Sequence, residues 1–472
     1  MRHPSIASSF RRSVALAAAL AFSVWCSGAT PTPAAGDTTA PTLKSAIQHV
    51  IVIYQENWSF DGLYGSFPGA NGLGNASAAA PQIDKLTGNP IASLPQPLNG
   101  AGPDPDFPAG LPVAPYDAMK YILPTQLTGD LVHRFYQEQA QIDGGKMDKF
   151  VTWSDNPGLV LSHFDATTLP EGILAKQYVL ADNYFHSAYG SSFLNHQWLI
   201  CVCTPTFPNA PASVVATLAP NGQLALDASG KIVHDGFVTP DGYAVNTAFT
   251  VNAPHPANAV PANLVPNQTN PTIGDRLTAA GVSWKWYSGG WNNAIAGNPD
   301  PLFQFHHQPF AYFTNYADGT AAKAAHLQDE TNFLADLKAG ALPAVSFVKP
   351  LGNDNEHPGY SALAAGQQHV ADLISAIQNS PEWATTVVII TYDENGGRWD
   401  HVAPPGPFDR WGPGTRVPAI IVSPWAKRGF IDHTQYETAS ILAFIEARWN
   451  LQPLNMRDAK ANPLTNAFTF GP

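Results

Sequence analysis

The sequence predicts an α/β protein: a central, largely parallel sheet flanked by helices, with a smaller cap rich in loops and hairpins. Three observations carry that expectation. Residues 49–54 (HVIVIY), 386–392 (TVVIITY) and 417–422 (VPAIIV) are continuous apolar, β-branched runs. A strand covered on both faces needs such a run, whereas a half-exposed strand alternates. Helical patterns stand around them at 129–142, 170–178, 272–280, 327–340, 363–378 and 437–449, and alternation of strand and helix implies right-handed crossovers onto one sheet. The chain has 472 residues, 44% hydrophobic and 13% charged, enough to bury a large core in one large or two intimate domains.

Two weaker runs, 281–287 (GVSWKWY) and 344–348 (AVSFV), add strand candidates to the same sheet. Between residues 204 and 262 the periodicity collapses into Pro, Ala, Asn and short polar stretches, which reads as an insertion forming the cap. With 43 Pro and 38 Gly and no G-X-Y period, the chain is a loop-rich enzyme candidate rather than a fibrous one. Repeats and heptads are absent, so solenoid, propeller and coiled-coil readings fall away. The net charge of −12 opposes a polyanionic partner, so nucleic acid is disfavoured.

Residues 1–29 read as a signal peptide: Arg2, Arg11 and Arg12, an apolar run from Val14 to Val24, then Ser27-Gly28-Ala29 as a small-x-small cleavage site. The apolar run is too short to span a membrane. Arg11-Arg12 ahead of an Ala-rich core is the pattern of twin-arginine export, with general secretion as the alternative. The expected destination is the periplasm or the medium. Residues 30–43 (TPTPAAGDTTAPTL) form a linker, and the catalytic domain is expected over 44–472, ordered from near Lys44. Cys201 and Cys203 are expected on one face of a strand as buried free thiols, because a bridge between i and i+2 is uncommon.

Two of the strong runs end alike, in Tyr54-Gln55-Glu56-Asn57 and in Tyr392-Asp393-Glu394-Asn395. Ligands of open parallel sheets collect beyond the carboxyl ends of the strands, so two clusters of acids and amides there are expected to meet in one crevice. Hard oxygen donors of that kind suit a divalent cation whose identity the residues leave open. A Gly190-Ser191-Ser192 turn places hydroxyls where backbone N–H groups hold an anion, and a nearby metal would depress a serine's pKa. The turn does not fit the G-x-S-x-G elbow, which disfavours a Ser-His-Asp hydrolase. His133, the adjacent His306-His307, His357 and His401 are candidates for phosphate donor, general acid or metal ligand.

These motifs resemble a family of secreted bacterial phosphoesterases, acid phosphatases and phospholipases C, related in fold to the alkaline phosphatase superfamily. The resemblance rests on Glu56-Asn57-Trp58-Ser59-Phe60-Asp61, on Gly190–His196 (GSSFLNH), on Glu356-His357-Pro358, and on Thr391–Gly397 (TYDENGG) with Asp400–Pro405 (DHVAPP). It runs from about His49 to Trp449. It implies Ser192 as nucleophile, with Ser191 the runner-up should the turn be shifted by one. It implies Glu56, Asn57, Ser192, Asp393 and Glu394 as metal ligands, and His133, His307 and His357 as pocket histidines assisted by His306. Some relatives carry two aspartates where this chain has Asp393-Glu394.

The implied activity is hydrolysis of phosphate monoesters through a phosphoserine, with an acidic pH optimum. The chain stops soon after Trp449, where phospholipase C members tend to continue into β domains, and this favours small soluble phosphate esters as substrates. A phospholipase C acting on phosphatidylcholine-like head groups is the alternative, with Trp58 or Trp399 offering a cation–π platform for choline. A secreted binding protein whose metal cluster is structural is the alternative of another class.

Overall fold

A computed structural model of the chain describes residues 42–470, residue 101 excepted. The expected signal peptide and nearly all of the linker lie outside the described residues. Structure begins where Thr42 caps a short helix, Leu43–Ala46.

Eight strands build the central sheet: β1 (His49–Gln55), β2 (Val179–Ala181), β3 (Trp284–Ser288), β4 (Leu327–Asp329), β5 (Val345–Lys349), β6 (Thr386–Tyr392), β7 (Ala419–Val422) and β8 (Phe430–Asp432). Their spatial order is β8-β2-β7-β6-β1-β5-β3-β4. The central pair explains the continuous apolar runs, since β6 is buried at every position and β1 at all but His49. Each Val or Ile so covered contributes about 1.5–3 kcal/mol. Ile390→Asp, at the middle of β6, would place an unpaired charge in that layer and break it.

Helices flank the sheet: α1 (Phe60–Tyr64), α2 (Phe135–Ile142), α3 (Pro170–Gln177), α4 (Ser192–Cys201), α5 (Ile273–Ala279), α6 (Glu330–Lys338), α7 (Leu363–Gln378) and α8 (Thr438–Trp449). One packed group joins α7 to α3 and α6, and another joins α4 to α8 and α5. In α7 the buried Leu363, Gly366, Gln367, Val370, Leu373, Ile374 and Ile377 follow the spacing of a single helical stripe. Every residue of α4 is buried, so its apolar residues show no stripe.

Four expectations need correction. The 417–422 run forms β7, which runs antiparallel to both β6 and β2, so one strand is reversed in a sheet otherwise pointing one way. The 129–142 helix begins only at Phe135, because residues 129–134 run without helix past the Leu98 carbonyl. The first three residues of the 327–340 pattern form edge strand β4 before α6 starts.

Fourthly, Cys201 and Cys203 are joined in a disulfide. Cys201 ends α4 rather than lying in a strand, and Val202 turns left-handed at φ +48°. That turn brings the two Cα atoms to 5.1 Å, closer than extended backbone holds positions i and i+2.

Residues 204–262 contain short antiparallel bridges, Leu218 with Leu224, Leu226 with Ile232 and Val238 with Ala244. This segment braces the turn before α4. The Ser191 hydroxyl donates to the Val245 carbonyl (3.1 Å), and Asn246 Oδ1 accepts from Phe135 N (2.9 Å).

Candidate active site

The register of the sheet assembles the site. Gln55 and Tyr392 are paired at the carboxyl ends of neighbouring parallel strands β1 and β6. The next residues, Glu56-Asn57 and Asp393-Glu394, therefore leave the sheet side by side, all four buried.

Helix α4 points its N-terminus at them. Asn195, in its first turn, staples the preceding bend by donating to the carbonyls of Ala188 and Gly190 (both 2.9 Å) and accepting from Ala188 N (3.1 Å). The bend requires glycine at 190: φ is +72°, and a Cβ would stand 2.2 Å from Phe135 N. With Ser191 engaged by Val245, Ser192 is the hydroxyl that faces the acids: Asn57 Nδ2 donates to its Oγ at 3.4 Å, and Asp393 stands beside it. Asn57 Nδ2 also donates to Glu394 Oε1.

The histidines arrive from four segments, and three of them share one arrangement. His133 Nδ1 donates to the Leu131 carbonyl (2.6 Å), His357 Nδ1 to the Pro358 carbonyl (2.6 Å) and His196 Nδ1 to the Ser192 carbonyl (2.7 Å). A carbonyl only accepts, so each ring carries its proton on Nδ1 and leaves Nε2 to act on the site. His133 Nε2 lies 3.8 Å from Glu394 Oε1, and His357 Nε2 lies 3.7 Å from Glu56 Oε2. His307 Nε2 is 2.5 Å from Glu56 Oε1, on a turn held by the Trp286 indole bonding the His307 carbonyl. His306 is buried behind it, its ring 4.6 Å from that of His307.

Two residues of the centre escaped the sequence reading. Lys349, the last residue of β5 and fully buried, sits 2.6 Å from Glu56 Oε1. Its signal was a lone cation closing an apolar run, at the strand end where β1 and β6 carry their acids. His196 stacks flat on His307, 4.9 Å between ring centres; it stands in the Gly190–His196 motif, which drew attention to its serines.

Charge is unevenly compensated. Burial opposes ionisation of Glu56, yet His307 and Lys349 hold its carboxyl well below the usual range. Burial, and then the Glu56 charge, push Asp393 well above that range. Burial and Asp393 do the same to Glu394. Asp393 Oδ2 and Asn57 Oδ1 are buried without a hydrogen-bond partner. Orphaned hard oxygens beside carboxyl groups that resist ionisation without a cation are a donor set that fits a divalent metal. Burial also lowers His196 and His306 well below the ordinary histidine range, lowers His357, and takes His307 to about 4.

The remaining candidates lie elsewhere. His401 joins Asp61 and Asp400 in a cluster tied together by Arg416: Asp61 Oδ2 is 2.6 Å from His401 Nδ1, and Arg416 reaches Asp61 (3.2 Å) and Asp400 (2.9 Å). Trp58 offers choline no open face, because it is buried with the Arg398 guanidinium 4.0 Å over its ring. Trp399 is buried with its indole bonded to the Met147 carbonyl. A cavity of about 580 Å³ beyond the far end of α4 is lined by Trp198, Cys203, Phe408, Trp411 and Arg457 and holds none of the site residues. Among the described residues no helix is long and apolar enough to cross a membrane.

The model of the phosphoesterase family matches residues 47–452. Phospholipase C A of Mycobacterium tuberculosis is 25% identical over 474 residues, covering 92% of this chain and 79% of that protein. The non-hemolytic phospholipase C of Burkholderia pseudomallei is 26% identical over 485 residues, covering 90% of this chain and 59% of its own length. Among solved structures, a Vibrio parahaemolyticus protein of the alkaline phosphatase superfamily is 10% identical, over 69% of this chain and 67% of that one, with a TM-score of 0.31. Since the matched span takes in both strand ends, the helix of Ser192 and all the converging histidines, the chain belongs to the phosphoesterase family and is a hydrolase of phosphoric ester bonds.

Proposed function

We propose that this chain is an exported, metal-dependent acid phosphatase that cleaves phosphate monoesters with Ser192 as nucleophile. The observation that carries the reading is the setting of that hydroxyl: first residue of a buried helix, next to the Asn57 amide and Asp393, in a centre where histidine Nε2 atoms face Glu56 and Glu394.

Glu56, Asn57, Ser192, Asp393 and Glu394 would hold a divalent cation, which when bound supplies Lewis acidity and favours the ionised serine. The N-terminus of α4 and Asn57 Nδ2 stabilise negative charge on the phosphoryl oxygens. Ser192 Oγ, its proton released to solvent, forms a bond to phosphorus as the ester P–O bond breaks, and the leaving oxygen takes a proton from Nε2 of His357 in its doubly protonated form. Water then attacks phosphorus, returning a proton to that imidazole, and Ser192 is released with inorganic phosphate. Because burial depresses His307 and His357, charged imidazoles that grip phosphate exist only under acidic conditions, which supports an acidic optimum.

A second reading, a phospholipase C that cleaves phosphodiesters of phosphatidylcholine-like head groups, is favoured by the names of the curated relatives. Hydrolysis of p-nitrophenyl phosphate and of p-nitrophenylphosphorylcholine, measured side by side from acid to neutral pH with Ser192→Ala as control, separates them. Preference for the monoester at acid pH upholds the phosphatase, and preference for the choline diester replaces it with the phospholipase. Full activity in Ser192→Ala removes both.

A further inference from the structure

Gln55, Glu356 and Tyr392 each stand immediately before a residue of the centre: Glu56, His357 and Asp393. Paired residues of neighbouring strands point to one face and their successors to the other. Gln55 and Tyr392 therefore share the face opposite to Glu56 and Asp393, and there they converge on Glu356. Gln55 Nε2 donates to Glu356 Oε1 (3.1 Å), the Tyr392 hydroxyl to Glu356 Oε2 (2.8 Å), and Gln367 Nε2 of α7 to the same Oε2 (3.1 Å). Glu171 of α3 closes the group, its Oε2 3.1 Å from the Tyr392 hydroxyl.

All five side chains are buried, and the proposed chemistry uses none of them. A buried carboxyl group is costly unless it is hydrogen-bonded, and Glu356 accepts from three side chains drawn from two strands and a helix. The backbone adds a second sign: Glu356 adopts φ +71°, a conformation that costs a non-glycine residue about 1–3 kcal/mol and persists where the surroundings over-determine it. Helix α7 makes room with Gly366, where a Cβ would stand 2.3 Å from Glu356 Cγ. Trp58, next to Asn57, bonds the Glu356 carbonyl (3.1 Å), and Glu56 N bonds the carbonyl of Asn355 (2.9 Å).

We propose that Glu356 is a positioning residue for phosphoester hydrolysis: its carboxyl ties the ends of β1 and β6 to the His357 loop and so sets the mutual placement of Glu56, Asp393 and His357. Partners that orient a ligating or reacting side chain from behind govern about 10- to 100-fold in metal affinity or rate. The inference rests on the Ser192 reading of the centre.

The test compares Glu356→Ala, Glu356→Gln and Tyr392→Phe in the full chain, reading Mn2+ affinity by calorimetry together with kcat and KM for p-nitrophenyl phosphate. Glu356→Ala is expected to weaken Mn2+ binding and lower kcat, each by about 10- to 100-fold, while KM changes far less. Glu356→Gln is expected to recover most of both, because Gln55 Oε1 is unpaired and an amide flip of Gln55 restores the contact. Unchanged Mn2+ affinity and kcat in a folded Glu356→Ala overturn the proposal, as does a Gln variant no better than the Ala one. Should Glu356→Ala fail to fold, Tyr392→Phe decides: a clear loss of Mn2+ affinity supports the tie, and wild-type affinity overturns it. Wild-type turnover in Ser192→Ala would instead sink the nucleophile reading, and the Mn2+ affinities would still decide the role of Glu356.

Discussion

Lys349 Nζ lies 2.6 Å from Glu56 Oε1 with both side chains buried at the ends of adjacent strands β5 and β1. Removing one partner of such a pair leaves an uncompensated buried charge, at a cost of about 3–5 kcal/mol. Lys349→Met is expected to lose stability on that scale by chemical denaturation. The double variant Lys349→Met/Glu56→Gln should recover part of it, and additive losses would mean the pair is not coupled.

Ser192→Ala removes the proposed nucleophile and leaves the helix start intact, since the bend is held by Asn195 and Ser191. Turnover of p-nitrophenyl phosphate should fall by about 10³-fold or more with an unchanged circular dichroism spectrum. Ser191→Ala should keep most activity, because that hydroxyl is spent on Val245.

Gly190→Ala tests the bend itself. A left-handed φ and a Cβ 2.2 Å from Phe135 N are expected to cost about 1–3 kcal/mol and to displace Ser192. Activity should drop by more than the stability loss accounts for, measured well below the melting midpoint.

The carboxylates Asp393 and Glu394 lack a compensating cation of their own, so divalent metal should raise the melting midpoint. At 100 times Kd the gain is about 2.7 kcal/mol. Chelation should reverse it. Glu394→Gln should blunt the response to added metal.

Glu446 on α8 is pushed up to about 9 by burial and by its hydrogen bond to Asp458. The folded carboxyl holds a proton that the unfolded chain releases near its ordinary value, so the folded state binds more protons between those limits. Stability from this group is complete below the ordinary value and drains as pH rises towards 9. Thermal melts across that window should show a falling midpoint in the wild type and a flatter one in Glu446→Gln. Equal slopes would contradict the protonated state.

The parts of the fold that the sequence discloses are those where one constraint dominates. The 49–54, 344–348 and 386–392 runs are continuous because both their faces are buried, and their polar ends mark the site. Strands β2 and β8 have three residues each, too few to show a period. Helix α4 (SFLNHQWLIC) is buried all round, so its apolar residues form no stripe, and the serine turn hid the helix that follows. Lys349 and His196 were hidden for another reason: each gains meaning only from a partner far along the chain, Glu56 and His307. The Cys201–Cys203 bridge depends on one left-handed residue, Val202, which no pattern of residue types announces.

The reversed strand β7 sets the path of the segment that follows Asp393-Glu394. A crossover would have carried the chain from the end of β6 back to the opposite edge of the sheet. Because β7 runs the other way, residues 393–418 leave and re-enter at the same edge, and the Asp400–Arg416 cluster ties this segment to Asp61 from within. Lengthening or shortening the segment between those anchors would leave the strand order as it is, so this stretch can vary in length without disturbing the pairing of β6 with β7.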